Sequence, residues 1–120
     1  MFARKYSDGV EIISIDKDRL LKILKDNTER IKKNDPKVDK ILLYGSFIRE
    51  NHTPNSDVDI AIIVNHTDKP FIMRQDDYIT YFDTIPLDVN IIVYTKEEIQ
   101  KLKREKNGFI REVLCGLELV

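Results

Sequence analysis

The chain has 120 residues, of which 42% are hydrophobic and 8% aromatic, enough apolar mass for one globular domain spanning 1–120. Lys and Arg number 20 against 21 Asp and Glu, a formal charge of -1, which leaves no global electrostatic reason to expect a nucleic-acid or membrane partner. A single cysteine excludes an internal disulfide and suits a reducing cytoplasm.

The opening "MFARKYSDGVEII" carries basic residues but no apolar core of a leader, and no apolar run is long enough to span a bilayer. After Asp16, Leu20, Leu21, Ile23, Leu24, Asn27 and Ile31 recur at helical spacing, with Asp16 or Asp18 as the cap and "NDPK" as the stop. "KILLYGS" reads as a first strand closed by glycine, and "IRENHTPNS" as a helical turn plus loop. "DVDIAIIV" is apolar at almost every position after Asp59, the pattern of a central strand covered on both faces. Phe71, Ile72, Gln75, Tyr78, Ile79 and Phe82 form an amphipathic helical stripe, and "PLDVNIIVYT" a third strand. Thr95 and Glu98 stand at capping-box spacing before "KEEIQKLKREK", and "GFIREVLCGLELV" adds a last short helix in which Cys115 reads as a buried structural thiol.

Two like charges at the mouth of an apolar strand require compensation, because carboxylates one residue apart repel and are costly to desolvate. If the first two strands pair antiparallel, Gly45 and Ser46 come to the same sheet edge as Asp57 and Asp59. The helical stripe is long enough for a right-handed crossover, which makes the second and third strands parallel and brings Asp88 to that edge as well. Alternation then turns Asp57, Asp59 and Asp88 to one face, a cluster suited to magnesium held by few carboxylates and substrate phosphates. Glycine allows close backbone approach to a ligand, and a short helix starting at Ser46 offers free amides to an anion.

"GSFIRE" followed by "SDVD" resembles the signature of the nucleotidyltransferase superfamily of DNA polymerase beta, in its stand-alone minimal nucleotidyltransferase branch. The likeness runs from the helix before the first strand to the "GFIREVL" tail. It implies an α/β (α+β) fold: a small mixed sheet flanked by helices, like the polymerase beta palm. It also implies two magnesium ions on Asp57 and Asp59, a third carboxylate that helps activate an acceptor hydroxyl, and phosphate contacts from Gly45, Ser46 and Arg49. The implied reaction transfers a nucleotide, AMP from ATP or that of another triphosphate, to a protein or small-molecule hydroxyl and releases pyrophosphate. Relatives of this kind act beside a helical HEPN partner as the antitoxin of a toxin–antitoxin pair, so a non-catalytic module that neutralises its partner by binding is the alternative function.

Phe47, Ile48 and Glu50 depart from the family pattern, and counting back from "YTKEEI" sets either Asp88 or Asn90 at the third acidic position. His52 and His66 have no companions at metal-ligand spacing and read as surface residues. Glu97 and Glu98 suit the start of a helix, and "KLKREK" reads as a solvated face. With no second domain, an acceptor pocket has to come from the tail, a homo-oligomer mate or a partner chain.

Overall fold

The computed structural model describes residues 3–7, 10–14, 17–45 and 57–120, with backbone alone for the first two segments. Strands β1 (Ala3–Ser7) and β2 (Val10–Ser14) form an antiparallel pair in which Ala3 meets Ser14. Sequence periodicity gives no sign of this hairpin. The clue is the Asp8-Gly9 pair between the two strands, the composition favoured in two-residue hairpin loops. Helix α1 (Lys17–Asn34) buries Leu20, Leu24 and Ile31 completely, worth roughly 1.5–3 kcal/mol for each side chain. Asn27 lies on the same face, and among the described residues its Nδ2 has no partner, a local cost that the surrounding apolar contacts must offset.

The main sheet has the order β5-β4-β3-β6, made of β3 (Val38–Tyr44), β4 (Val58–Val64), β5 (Val89–Thr95) and β6 (Leu117–Glu118). β3 runs antiparallel to β4 with Tyr44 opposite Asp59, and β4 runs parallel to β5 with Asp59 level with Asn90. Every residue of β4 except Asp59 is buried, because both faces are covered. Ile41, Leu43, Ile60, Ile62, Ile91 and Val93 face α1 and the crossover. Leu42, Tyr44, Ala61 and Ile63 face helices α2 (Lys96–Arg104) and α3 (Gly108–Leu114). The short β6, which pairs antiparallel with β3, has too few residues for any periodicity to reveal.

The crossover differs from its expected form. It consists of two 3-10 segments, Phe71–Asp77 and Ile79–Phe82. Arg74, Tyr78 and Phe82 are buried, while Phe71, Ile72, Gln75 and Ile79 stay exposed. The cause is Arg74: its Nε donates to the Lys69 carbonyl at 3.0 Å, and its Nη1 to the Val93 carbonyl at 3.1 Å and to Glu98 Oε1 at 2.6 Å. A buried guanidinium with these partners rotates the segment so that apolar neighbours face outward. Glu98 also closes the capping box by accepting the Thr95 N–H at 2.8 Å. Burial raises its pKa, but Arg74 and the Thr95 amide outweigh that and hold it below the ordinary value. Glu98 thus ties α2 to the crossover besides capping its own helix.

Replacing Arg74 by Met orphans the Val93 carbonyl and one half of the Glu98 pair. We expect a loss of about 2–3 kcal/mol in urea denaturation, less than for a fully buried pair because Glu98 is partly solvated. Cys115 corrects another expectation: it ends α3 and is exposed rather than buried. Its helix turns Ile110 and Val113 inward instead. Among the described residues no helix is long and apolar enough to cross a membrane.

Candidate active site

Asp57 precedes β4 and is exposed, and Asp59 is its second residue and half-buried. The two-residue spacing puts both side chains on one face of the strand. It is the face of Ala61 and Ile63, which α2 and α3 cover farther along. From β5, the Asn90 side-chain amide donates to Asp57 Oδ2 at 3.0 Å and to Asp59 Oδ1 at 3.3 Å. One amide nitrogen therefore lies where a cation shared by the two carboxylates would lie.

This corrects the expected trio of Asp57, Asp59 and Asp88. Among the described residues no three acidic, His or Cys side chains lie close enough to hold a metal ion. The register explains the difference. Asp88 falls one residue before β5, where its carbonyl accepts the Val58 N–H at 2.8 Å and the residue is exposed. Asn90 is the residue level with Asp59. Of the third-position alternatives, the amide and not the carboxylate meets the pair.

Gly45 follows β3 with φ +83, in the left-handed region that favours glycine. A Cβ there would collide with the Asp59 carboxylate, so both backbone conformation and space exclude a side chain at this position. The expected meeting of the glycine turn with the Asp-x-Asp strand is thereby observed at Gly45. Ser46 and Arg49, the other expected phosphate contacts, lie outside the described residues, as do Phe47, Ile48, Glu50 and His52. His66 is exposed.

Tyr44 was not singled out by the sequence, since it reads as one more apolar strand position. It lies opposite Asp59 and is buried, with its ring edge-on to Phe109 of α3 at 5.7 Å between centroids. Burial, followed by the charge of Asp59, pushes its hydroxyl up to about 12. A phenol titrates near 10 in the unfolded chain, so the folded state favours the neutral form. That contribution is intact below about pH 10 and is lost as pH rises through about 12. Tyr44→Phe should flatten the decline of the urea midpoint over this interval.

Polymerase beta, Nucleotidyltransferase, is the family whose model matches the chain, over residues 26–120. The chain belongs to this nucleotidyltransferase family. The match starts within α1 and takes in the whole main sheet. A crystal structure from Sulfolobus solfataricus assigned to the nucleotidyltransferases is similar in fold, with TM-score 0.58 and 22% identity over 71% of this chain and 75% of the other. A toxin–antitoxin complex with AMP-PNP aligns at TM-score 0.44 and 20% identity over 84% of this chain and 100% of the other, too low to infer a shared function. No curated protein matches the chain.

In this family context the donor set can be tested against a divalent cation. Two carboxylates offer hard oxygen ligands, and the Asn90 amide, turned over, would offer a third oxygen in the same place. The set fits one magnesium ion completed by water and phosphate oxygens. A second ion would lack the third carboxylate that the sequence led us to expect.

Proposed function

We propose that the chain is a magnesium-dependent nucleotidyltransferase that moves a nucleotide, AMP from ATP, to a hydroxyl on a protein or small molecule. The observation that carries this reading is the convergence of Asp57 and Asp59 on one strand face beside Gly45, whose missing side chain leaves room at the Asp59 carboxylate. Asp57 and Asp59 would hold the ion, and the Asn90 side chain, turned over, would add its amide oxygen. Magnesium bound there would neutralise the phosphates and stabilise charge on the entering and leaving oxygens. The acceptor oxygen forms a bond to the α-phosphorus, the bond from that phosphorus to the bridging oxygen breaks, and pyrophosphate and a proton are released. Ser46, the Gly45 backbone and Arg49 are the proposed phosphate contacts.

The Asn90 amide favours a second reading, in which the fold serves as a binding module that neutralises a helical, HEPN-type partner by complex formation. An amide cannot act as a carboxylate base, which weakens hydroxyl activation. One experiment separates the two. The chain is incubated with labelled ATP, magnesium and its encoded neighbour, and mass spectrometry records whether either protein gains a nucleotide. Transfer supports the enzyme; neutralisation of the neighbour without transfer or nucleotide binding supports the module.

A further inference from the structure

Helix α2 ends at Arg104 and α3 begins at Gly108, so the chain turns a corner over 105–107. Hydrogen bonds fix this corner. The Lys106 N–H donates to the Lys103 carbonyl and the Asn107 N–H to the Leu102 carbonyl, each at 3.0 Å, and the Asn107 side chain accepts the Ile110 N–H at 3.0 Å. Lys106 has φ 55, the left-handed conformation that glycine usually takes just past a helix and that costs a lysine more. In the angle between the helices lies an open groove of about 260 Å³. Ile110, Leu114 and Cys115 give it an apolar floor, and the cations of Lys103, Lys106 and Arg111 stand around it. Ile110 is buried, whereas Leu114 is 36% exposed and Cys115 and the three cations are exposed. Ile110 with Leu114, and Arg111 with Cys115, stand four residues apart, so an apolar row and a mixed row run side by side along α3. The charge is one-sided. No acidic residue lines the groove, and among the described residues none of the three cations pairs with a carboxylate. Basic residues do complement helix C-termini, but that effect requires no apolar floor between them.

We propose that this groove docks an acidic amphipathic helix of a partner protein. Charge complementarity sets the sign of the occupant: three cations without a facing acid attract carboxylates and repel a basic segment. The floor sets its apolar stripe, since Ile110, Leu114 and Cys115 can be covered only by aliphatic or aromatic side chains. The walls set its backbone. Both are helices, whose N–H and C=O groups are satisfied internally, so an extended segment would find no strand edge there and would leave its own backbone unpaired. A helix brings its backbone already bonded and offers apolar anchors at i, i+3 and i+4 between its carboxylates. Nucleic acid suits the groove less well, because the floor has no aromatic ring to stack a base and no polar group to read one. The three cations flank the groove from both helices, so one acidic helix seated in it meets all of them. Docking on α3 also holds the partner near the carboxylate pair, since Phe109 of the same helix packs on Tyr44, which stands opposite Asp59.

Cys115 is the chain's single cysteine, and its place in the groove makes its alkylation by iodoacetamide, a neutral reagent, a measure of occupancy. The probe is a synthetic peptide with leucines at i, i+3, i+4 and i+7 among glutamates. Its controls are the same peptide with lysines for glutamates and a single-stranded oligonucleotide. The glutamate peptide is expected to bind with a dissociation constant on the order of 100 μM, and at about ten times that concentration to slow alkylation about tenfold. Raising salt from roughly 50 mM to 500 mM should weaken it by about tenfold. Arg111→Glu reverses one charge of the groove and Leu114→Ser removes part of its floor, and each should weaken binding by about tenfold. Both side chains are exposed, so circular dichroism of the variants is expected to match the native chain. No protection of Cys115 at roughly 1 mM peptide overturns the proposal, as do equal protection by the lysine peptide and an affinity unchanged in either variant. Protection by the oligonucleotide alone also overturns it, in favour of nucleic acid. The proposal concerns binding and not transfer, so it stands under either reading of the carboxylate site, which the labelled-ATP experiment tests separately.

Discussion

Asp59→Asn should lower nucleotide transfer on the order of a thousandfold while leaving the fold intact. Asn has nearly the same shape, and its Oδ1 can still accept from the Asn90 amide, which donates to Asp59 at 3.3 Å in the native chain. What disappears is one full negative charge from a half-buried position where it can act on a bound cation. Stability is expected to stay level or rise slightly, because a like charge beside Asp57 is removed. Label transfer from ATP at saturating magnesium, read beside a thermal melt, distinguishes the two quantities. A variant that melts like the native chain and still transfers label at the native rate would remove Asp59 from the chemistry.

The second large effect is expected from Asn90→Asp. The native amide lies 3.0 Å and 3.3 Å from carboxylate oxygens of Asp57 and Asp59, so a carboxylate at this position meets two others at close range. Three such groups cannot all stay ionised without a cation. In chelator the variant should lose about 1–2 kcal/mol, a drop of several degrees in the melting midpoint. Millimolar magnesium should restore it, because the variant has the third carboxylate that the native chain lacks. Transfer should then rise by about tenfold or more, as a carboxylate can assist the acceptor hydroxyl and an amide cannot. The decisive measurement is the difference in midpoint with and without magnesium. If this difference matches that of the native chain, Asn90 does not occupy the third ligand position.

The two experiments probe separate weaknesses of the enzyme reading. Loss at Asp59 asks whether the pair is used at all; gain at Asn90 asks whether the native site is incomplete. A chain inactive before and after Asn90→Asp would favour the binding module, since restoring the missing carboxylate then restores nothing.

Much of the architecture follows from short-range patterns. The helical recurrence of Leu20, Leu24, Asn27 and Ile31 marks α1. The unbroken apolar run after Asp59 marks a strand covered on both faces. Thr95 and Glu98 form the capping box that their spacing announces. These features depend on residues within a turn or a strand of one another, so local order carries them. The Asp57–Asp59 pair and Gly45 belong to the same class once β3 and β4 are recognised as antiparallel neighbours.

The remainder depends on partners distant in the chain. Asp88 and Asn90 stand two residues apart, so alternation alone does not separate them, and only the pairing of β5 with β4 settles the matter; it sets Asn90 level with Asp59. Arg74 resembles any solvated arginine until Lys69, Val93 and Glu98 surround it, and its burial turns the crossover so that Phe71 and Ile72 face outward. Cys115 sits in an apolar segment yet is exposed, because α3 docks through Ile110 and Val113. By itself the sequence determined α1, the three long strands, the capping box and the likeness to the nucleotidyltransferase family, since periodicity and motif spacing are local. Tertiary structure alone decided which side chain meets the carboxylate pair and which way the crossover faces, because register and burial arise from contacts between segments that the chain order does not rank.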